Sequence, residues 1–245
     1  MMIKFSEKAH RYWVDKRPCP GVTTLLKGYP KPALVYWSAK TVAEYVADNP
    51  DAVESLRTMG RGPMVAALKD IPWQKRDDAA MRGTEVHTLG EAVIHGDEVD
   101  VPDRHAALVQ GYVDWLDANN VEPMHVELVV ANRTHWYCGK LDLIARIDGE
   151  VWLLDLKTSR GVYGEMAMQL LAYGNAEVFL GPDGPDDERP MPQIDRYGVL
   201  HIEDGLTTLY PVKPEDHAAA FKDFLHAAWN HRAKNRIDQY LEPAI

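Results

Sequence analysis

A continuous β-rich segment, residues 121–157, constrains the fold of this chain more than any other feature. It reads VEPMHVELVVANRTHWYCGKLDLIARIDGEVWLLDLK, and its β-branched and aromatic residues predict three strands near 124–131, 138–147 and 150–157. Asp148-Gly149, between the last two strands, is a two-residue hairpin signal. A chain with this segment near its centre needs an antiparallel meander that other elements cover.

Helical patterns and two further hairpins surround this segment. Hairpins are predicted near 3–26 and 196–212, and helices over 32–49, 75–96, 103–120, about 162–178 and about 214–229. Prolines and glycines break residues 50–72, which we predict as short helices and turns, and they mark 181–193 as a surface loop. This order predicts the α/β (α+β) class, a mixed sheet flanked by helices.

The 245 residues are expected to form one domain, with an N-terminal hairpin and helical lobe over 1–75 and a core over 76–245. The chain is 46% hydrophobic, enough for a sizeable core. It has no apolar run of the roughly 18–20 residues that span a bilayer, and no secretory signal is recognisable. We therefore expect a cytoplasmic protein with no membrane partner.

Net charge and cysteine content exclude some classes of site. Two cysteines, Cys19 and Cys138, are too few for a disulfide framework or a four-cysteine metal site. A net charge of -10 disfavours a broad basic nucleic-acid-binding surface. An enzyme that gathers carboxylates around a cation is also acidic, so the charge does not exclude a nuclease.

Charged residues end the third predicted strand. Side chains alternate along a strand, so Asp155 and Lys157 share one face. A hairpin folded at Asp148-Gly149 pairs 147 with 150 and brings Asp142 opposite Asp155, about 4.5–5.5 Å away. Two carboxylates that close repel each other unless a positive charge lies between them. A divalent cation bound by oxygen ligands, with Lys157 beside it, is the simplest solution.

Two other interpretations of these residues stay open. The pattern Asp155-x-Lys157 alone is common and is also typical of strand-end charges in a simple salt bridge. A carboxylate-pair hydrolase such as a glycosidase would instead need its two carboxylates about 5–10 Å apart beside an open groove. The apolar surroundings of Asp142 and Asp155 favour the metal hypothesis.

Four sequence motifs together resemble the PD-(D/E)XK nuclease superfamily, in its RecB-like exonuclease branch. They are RGTEVHTLGEA with His87, GKLDLI with Asp142, VWLLDLKTS with Asp155 and Lys157, and MQLLAYG with Gln169 and Tyr173. GVTTLL and YPKPALVYWSAK further resemble stand-alone phage-type exonucleases of this branch. The resemblance covers most of the chain and implies a restriction-endonuclease-like core.

The resemblance also implies roles for individual residues. His87, Asp142, Asp155 and the backbone carbonyl of Leu156 would bind a catalytic Mg²⁺ or Mn²⁺. Asp142, Asp155 and Lys157 would be catalytic. Lys157 would orient and help deprotonate the attacking water, with its pKa lowered by burial and by the charge of the metal. The metal would polarise the phosphoryl oxygen and acidify water.

Further residues are weaker candidates around the same site. Gln169 and Tyr173 would steady the lysine or contact DNA, and Arg82 would meet a phosphate or be an ordinary exposed arginine. Glu127 and Glu91 form a second tier. Glu127 would face the same pocket, and Glu91 would bond the second imidazole nitrogen of His87 or be a solvated helix charge.

The implied function is a metal-dependent DNA exonuclease acting in phage recombination or replication, in the host cytoplasm. The alternatives are a catalytically silent DNA-binding or scaffold protein on the same fold and a structure-specific endonuclease. DNA is the expected partner, and a homo-oligomer or a recombination partner protein stays open. With two cysteines we expect no iron–sulfur cluster, and without a GxxxxGK[ST] motif no nucleotide cofactor.

Overall fold

The computed structural model describes residues 2–97, 99–237 and 239–240. The chain divides into two compact units, one formed by the residues up to Tyr29 with those from Val86 onward, the other by Pro30–Glu85. The sequence analysis grouped the N-terminal hairpin with the helices that follow it. The structure instead places that hairpin in the unit that contains the large sheet.

In the described residues, ten strands form two sheets. A three-stranded sheet contains β1 (Ile3–Ser6), β2 (Arg11–Val14) and β3 (Arg17–Cys19). A seven-stranded sheet has the order β10-β9-β6-β5-β4-β7-β8, with β4 (Glu122–Asn132), β5 (Tyr137–Ile147), β6 (Glu150–Lys157), β7 (Val178–Leu180), β8 (Glu188–Pro190), β9 (Arg196–Glu203) and β10 (Leu206–Pro211). The β6–β9 pair is parallel and the other pairs are antiparallel, so the sheet is mixed as predicted.

Seven α-helices accompany the sheets in the described part of the chain. They are α1 (Val22–Leu25), α2 (Pro32–Asp48), α3 (Pro50–Thr58), α4 (Arg61–His95), α5 (Asp103–Ala118), α6 (Gly164–Gly174) and α7 (His217–Ile237), with 3-10 turns at Leu26–Gly28 and Pro214–Asp216. None of these helices is both long and apolar enough to cross a membrane. The predicted α/β class, a mixed sheet flanked by helices, is confirmed at this level.

Two predicted helix boundaries were wrong. Residues 50–72 do contain the short helix α3, which ends before Gly60, but α4 then continues through Pro72 without the expected break. A proline inside a helix removes one hydrogen bond, and the turns on either side keep theirs. α6 ends at Gly174 instead of near 178, because both the backbone N–H and the side chain of Asn175 donate to the carbonyl of Leu171 and close the helix.

The β5–β6 hairpin has the predicted register. Ile147 pairs with Glu150 and Leu143 with Leu154. The turn residues Asp148 and Gly149 have φ values of 50° and 83°, the left-handed conformation that a two-residue turn of this type requires. Continued by one residue beyond Leu143, this register brings Asp142 level with Asp155.

The two faces of the large sheet bury different residues. Leu153 packs in the cluster that includes Leu170 of α6 and Phe224 of α7. Leu154 and Leu156 pack in a second cluster with residues of α5. This alternation confirms the predicted facing of β6. It places Asp155 and Lys157 on the same side as Leu153, towards α6.

Candidate active site

The first element of the site is the carboxylate of Asp142, on β5. Its Oδ2 accepts a hydrogen bond from the backbone N–H of Leu156 at 2.7 Å, and its Oδ1 lies 3.6 Å from Nδ1 of His87. Burial raises the pKa of Asp142, but the positive charges of His87 and Lys157 and the hydrogen bonds outweigh burial, so this pKa lies below its ordinary value. Asp142 is therefore ionised at neutral pH.

The imidazole of His87 connects α4 to both central strands. Its Nε2 lies 2.8 Å from the carbonyl oxygen of Leu156, and because a carbonyl only accepts, Nε2 carries the proton. Burial lowers the pKa of His87, whereas the neighbouring Asp142 raises it, and the net effect is a pKa of about 9. The metal-free protein therefore holds an imidazolium here. A metal that binds this nitrogen has to displace the proton.

Glu127 completes a group that could hold a cation. One ligand atom from each of His87, Glu127 and Asp142 lies within 4.8 Å of the others. Glu127 has a φ of 52°, a backbone conformation that residues with a side chain seldom adopt. Its carboxylate forms an ion pair with Lys140, and burial is the main reason that its pKa is raised. Glu127 was only a weaker candidate from the sequence, and the structure places its carboxylate with His87 and Asp142.

Asp155 and Lys157 form a buried ion pair beside this group. The ammonium of Lys157 lies 2.5 Å from Oδ2 of Asp155. The side chain of Lys157 is 22% exposed and that of Asp155 is 1% exposed. That oxygen accepts no well-aligned hydrogen bond from the described residues, so charge is the main attraction. Burial raises the pKa of Asp155 against the effect of Lys157, and Asp142 raises it further, to about 6.

Burial favours the neutral amine of Lys157, but Asp155 and Asp142 outweigh it and raise the pKa above its ordinary value. We expected the pKa of Lys157 to be lowered by burial together with the charge of a bound metal. The lowered pKa therefore stays a prediction for the metal-bound protein.

On α6, Gln169 hydrogen-bonds the acid of this pair, and Tyr173 hydrogen-bonds Gln169. Nε2 of Gln169 donates to Oδ1 of Asp155 at 3.1 Å and to the hydroxyl of Tyr173 at 3.0 Å. A side chain at Gly139 on β5 would collide with the ring of Tyr173, so this glycine makes room for the tyrosine. The two residues therefore fix the carboxylate that in turn holds Lys157.

The remaining candidates lie elsewhere or make other contacts. Arg82 is exposed on α4 and belongs to the unit Pro30–Glu85. Glu91 does not hydrogen-bond His87, because Asp142 and the carbonyl of Leu156 occupy its two nitrogens. Glu91 contributes instead to the raised pKa of Glu127.

Two residues near the site were missed by the sequence analysis. Lys140 follows Gly139 and pairs with Glu127 across β4 and β5. Tyr112 on α5 is buried, and its hydroxyl has no hydrogen-bond partner within the described ranges. Burial, followed by the charge of Asp142, raises the pKa of Tyr112. Nothing in the sequence distinguished Tyr112 from the other core residues of its helix.

Comparisons with known proteins add no assignment. No protein-family model matches the chain, and no curated protein is significantly similar to it. The donor atoms of the site are therefore the guide to its chemistry. Two carboxylates, an imidazole and a backbone carbonyl are a ligand set that suits Mg²⁺ or Mn²⁺.

Proposed function

We propose that this chain is a metal-dependent DNA nuclease, an exonuclease with a PD-(D/E)XK core of the RecB-like branch. The observation that supports it most is the grouping of His87, Glu127 and Asp142 within 4.8 Å beside the buried Asp155–Lys157 pair. The family is proposed from the resemblance of the four sequence motifs, and the mixed sheet flanked by helices is compatible with it.

Each residue has a role in this proposal. His87, Asp142, Glu127 and the carbonyl of Leu156 would hold a divalent cation, with Asp155 adjoining them. The cation, when bound, would supply Lewis acidity towards the phosphoryl group and water.

Asp155 holds Lys157 as an ammonium, so the lysine donates a hydrogen bond that orients water or a phosphate oxygen. It accepts a proton only when it is neutral. Gln169 and Tyr173 keep the Asp155 carboxylate in place for this pairing.

The rival functions fit the site less well. In a glycosidase both carboxylates face an open groove, whereas Asp155 is 1% exposed and engaged by Lys157 and Gln169. A silent DNA-binding or scaffold protein has no need of an intact set of two acids and a lysine around buried charge. A structure-specific endonuclease would use the same chemistry, and only substrates distinguish it.

A cleavage assay tests the proposal. End-labelled duplex DNA is incubated with Mn²⁺ or Mg²⁺, with and without a chelator, and with Asp155→Ala and Lys157→Ala. We expect the chelator to abolish digestion by the wild type, and the two site variants to digest at least about 100-fold more slowly than the wild type. Lys222→Ala and Asp216→Ala, at exposed positions, are matched controls that should cleave normally. Equal digestion by wild type and site variants would contradict the proposal.

A time course on blunt, overhanging and circular DNA would then define the reaction. Exonuclease action predicts mononucleotides or short products from linear ends and no opening of circles. Products from circular DNA would favour the endonuclease alternative. A role in phage recombination or replication, a homo-oligomer and a recombination partner are parts of the proposal that follow from the resemblance.

A further inference from the structure

At Lys157 the strand β6 is paired with a neighbouring strand on one side only. The pairing of β5 with β6 ends at Leu143 and Leu154, whereas the pairing of β9 with β6 continues to the last residue of the strand. Lys157 is level with His201 on β9. Residues that are paired on neighbouring strands point to the same face of the sheet, so His201 lies beside the lysine.

The imidazole of His201 is fixed in a buried position. It is 4% exposed, and its Nε2 lies 2.5 Å from the carbonyl oxygen of Ser159. A carbonyl accepts, so Nε2 is the donor in this bond. Nδ1 lies 3.7 Å from the carboxylate of Glu203, and the ring of Tyr210 meets the imidazole edge-on at 6.2 Å between centroids.

The His201–Ser159 bond holds the connection that leaves the active-site strand. Ser159 is the second residue after Lys157, in the segment 158–163 that leads to α6. In the described part of the chain, His201 is the only side chain of another strand that hydrogen-bonds this segment. Loss of the bond would leave a part-buried carbonyl without this donor and release the chain on the far side of Lys157.

We propose that His201 is a positioning residue for Lys157, which it aligns by fixing the carbonyl of Ser159. The inference rests on the proposed nuclease function, in which the place of the ammonium matters to the reaction. Displacement of a catalytic group by about 1 Å can lower a rate by about 100-fold. The alternative is a purely structural role, in which the hydrogen bond of His201 contributes to stability and does not affect the position of Lys157.

Steady-state kinetics of two variants distinguish these roles. His201→Leu removes the donor, and His201→Gln keeps an N–H near the position of Nε2. With end-labelled DNA and Mn²⁺ we expect kcat to fall about 10-fold or more in His201→Leu, KM to change by less than about twofold, and His201→Gln to recover most of kcat. His217→Leu is the matched control, because it removes a histidine bond to the carbonyl of Val212, in the connection that follows β10.

A double variant tests whether His201 acts through Lys157. If it does, His201→Leu causes no further loss of kcat in a Lys157→Ala background. Losses that multiply, or a His201→Gln variant as slow as His201→Leu, would overturn the inference while the nuclease function stands. A wild type without metal-dependent cleavage would overturn the proposed function, and this inference with it.

Hydrogen exchange measured by mass spectrometry supplies a readout that needs no activity. His201→Leu should speed exchange of the amides in 158–163 and leave β5 unchanged, whereas His201→Gln and His217→Leu should match the wild type there. Unchanged exchange in His201→Leu would show that the bond does not hold the segment, and would overturn the inference whatever the kinetics.

Discussion

Two lysine–carboxylate pairs lie at the candidate site, and they differ in what their acids can do. Asp155 is 1% exposed, and its two oxygens are engaged by Lys157 and Gln169. Glu127 is 17% exposed, pairs with Lys140 and also belongs to the group that could hold a cation. Asp155 is therefore enclosed by Lys157 and Gln169, whereas Glu127 pairs with a lysine and also lies near two other possible metal ligands.

This difference suggests how the same charged residues would be arranged without and with a bound divalent cation. In the metal-free protein, Lys140, Lys157 and the imidazolium of His87 face three carboxylates. A divalent cation adds positive charge, so its binding favours release of the His87 proton and of Lys140. In the proposed nuclease, Lys157 would keep Asp155 as its partner in both states.

The strongest test removes each lysine in turn. We expect Lys157→Met to lower kcat by about 1,000-fold, within the range for loss of an acid–base group, and Lys140→Met to change it by less than about threefold. The measurement is steady-state cleavage of labelled DNA at saturating Mn²⁺. Equal losses in the two variants would show that the pairs are equivalent and contradict the distinction.

Two simple rules predicted where the residues of the first pair lie: alternation along the strand put Asp155 and Lys157 on one face, and counting across the tight turn put Asp142 beside them. Asp148-Gly149 fixes the β5–β6 register, so the sequence placed Asp142 opposite Asp155 and set Lys157 on the same face. Strand alternation gives only the face of a side chain. It could not show that the oxygens of Asp155 turn towards Lys157 and Gln169, because that depends on competition among neighbouring groups.

The second pair was not predicted, because the β4–β5 connection carries no tight-turn signal. The structure pairs Asn132 with Tyr137, and the same register brings Glu127 level with Asp142. Residues 133–136, RTHW, contain neither glycine nor proline. Trp136 has a φ of 54°, which the sequence does not predict because tryptophan rarely adopts a positive φ. The three-residue strands β7 and β8 are too short to show a periodic pattern.

The charge state of His87 gives a pH-dependent test in the metal-free protein. Its pKa of about 9 lies above the unfolded value of 6.5, so its contribution to stability is complete below pH 6.5 and is lost as the pH rises through 9. We expect the free energy of unfolding to fall by up to about 3 kcal/mol over this window. Urea denaturation with chelator present, from pH 6 to 9.5, measures it.

His87→Gln is the control for this test, because glutamine keeps a hydrogen-bond donor and has no charge to lose. Its stability should change much less between pH 6.5 and 9. Added Mn²⁺ should stabilise the wild type more at pH 9 than at pH 6.5, since the metal no longer competes with a proton. A wild type whose stability is flat across this window would contradict an imidazolium beside Asp142.

Glu127 should matter for metal affinity while Gln169 should not. Glu127→Gln removes a charged ligand, and we expect Mn²⁺ to bind at least about 10-fold more weakly. Isothermal titration calorimetry at pH 8 measures the Kd. Gln169→Leu, which frees Asp155 without touching the group, should leave the Kd within about twofold and lower kcat instead. Unchanged affinity in Glu127→Gln would return Glu127 to the role of a plain salt-bridge partner.

The smallest effect expected comes from removing the lysine that Glu127 would give up. The side chains of Lys140 and Glu127 are 24% and 17% exposed, and a pair at this depth is worth about 0.5–1 kcal/mol. Lys140→Met should therefore bind Mn²⁺ about two- to fivefold more tightly, because the cation no longer competes with the ammonium. Glu7→Gln is the control, since Glu7 is 81% exposed and lies 3.8 Å from the same ammonium. Weaker binding in Lys140→Met would mean that Lys140 orients Glu127 for the metal. Lys140 and Lys157 would then have the same role, each holding its carboxylate in position.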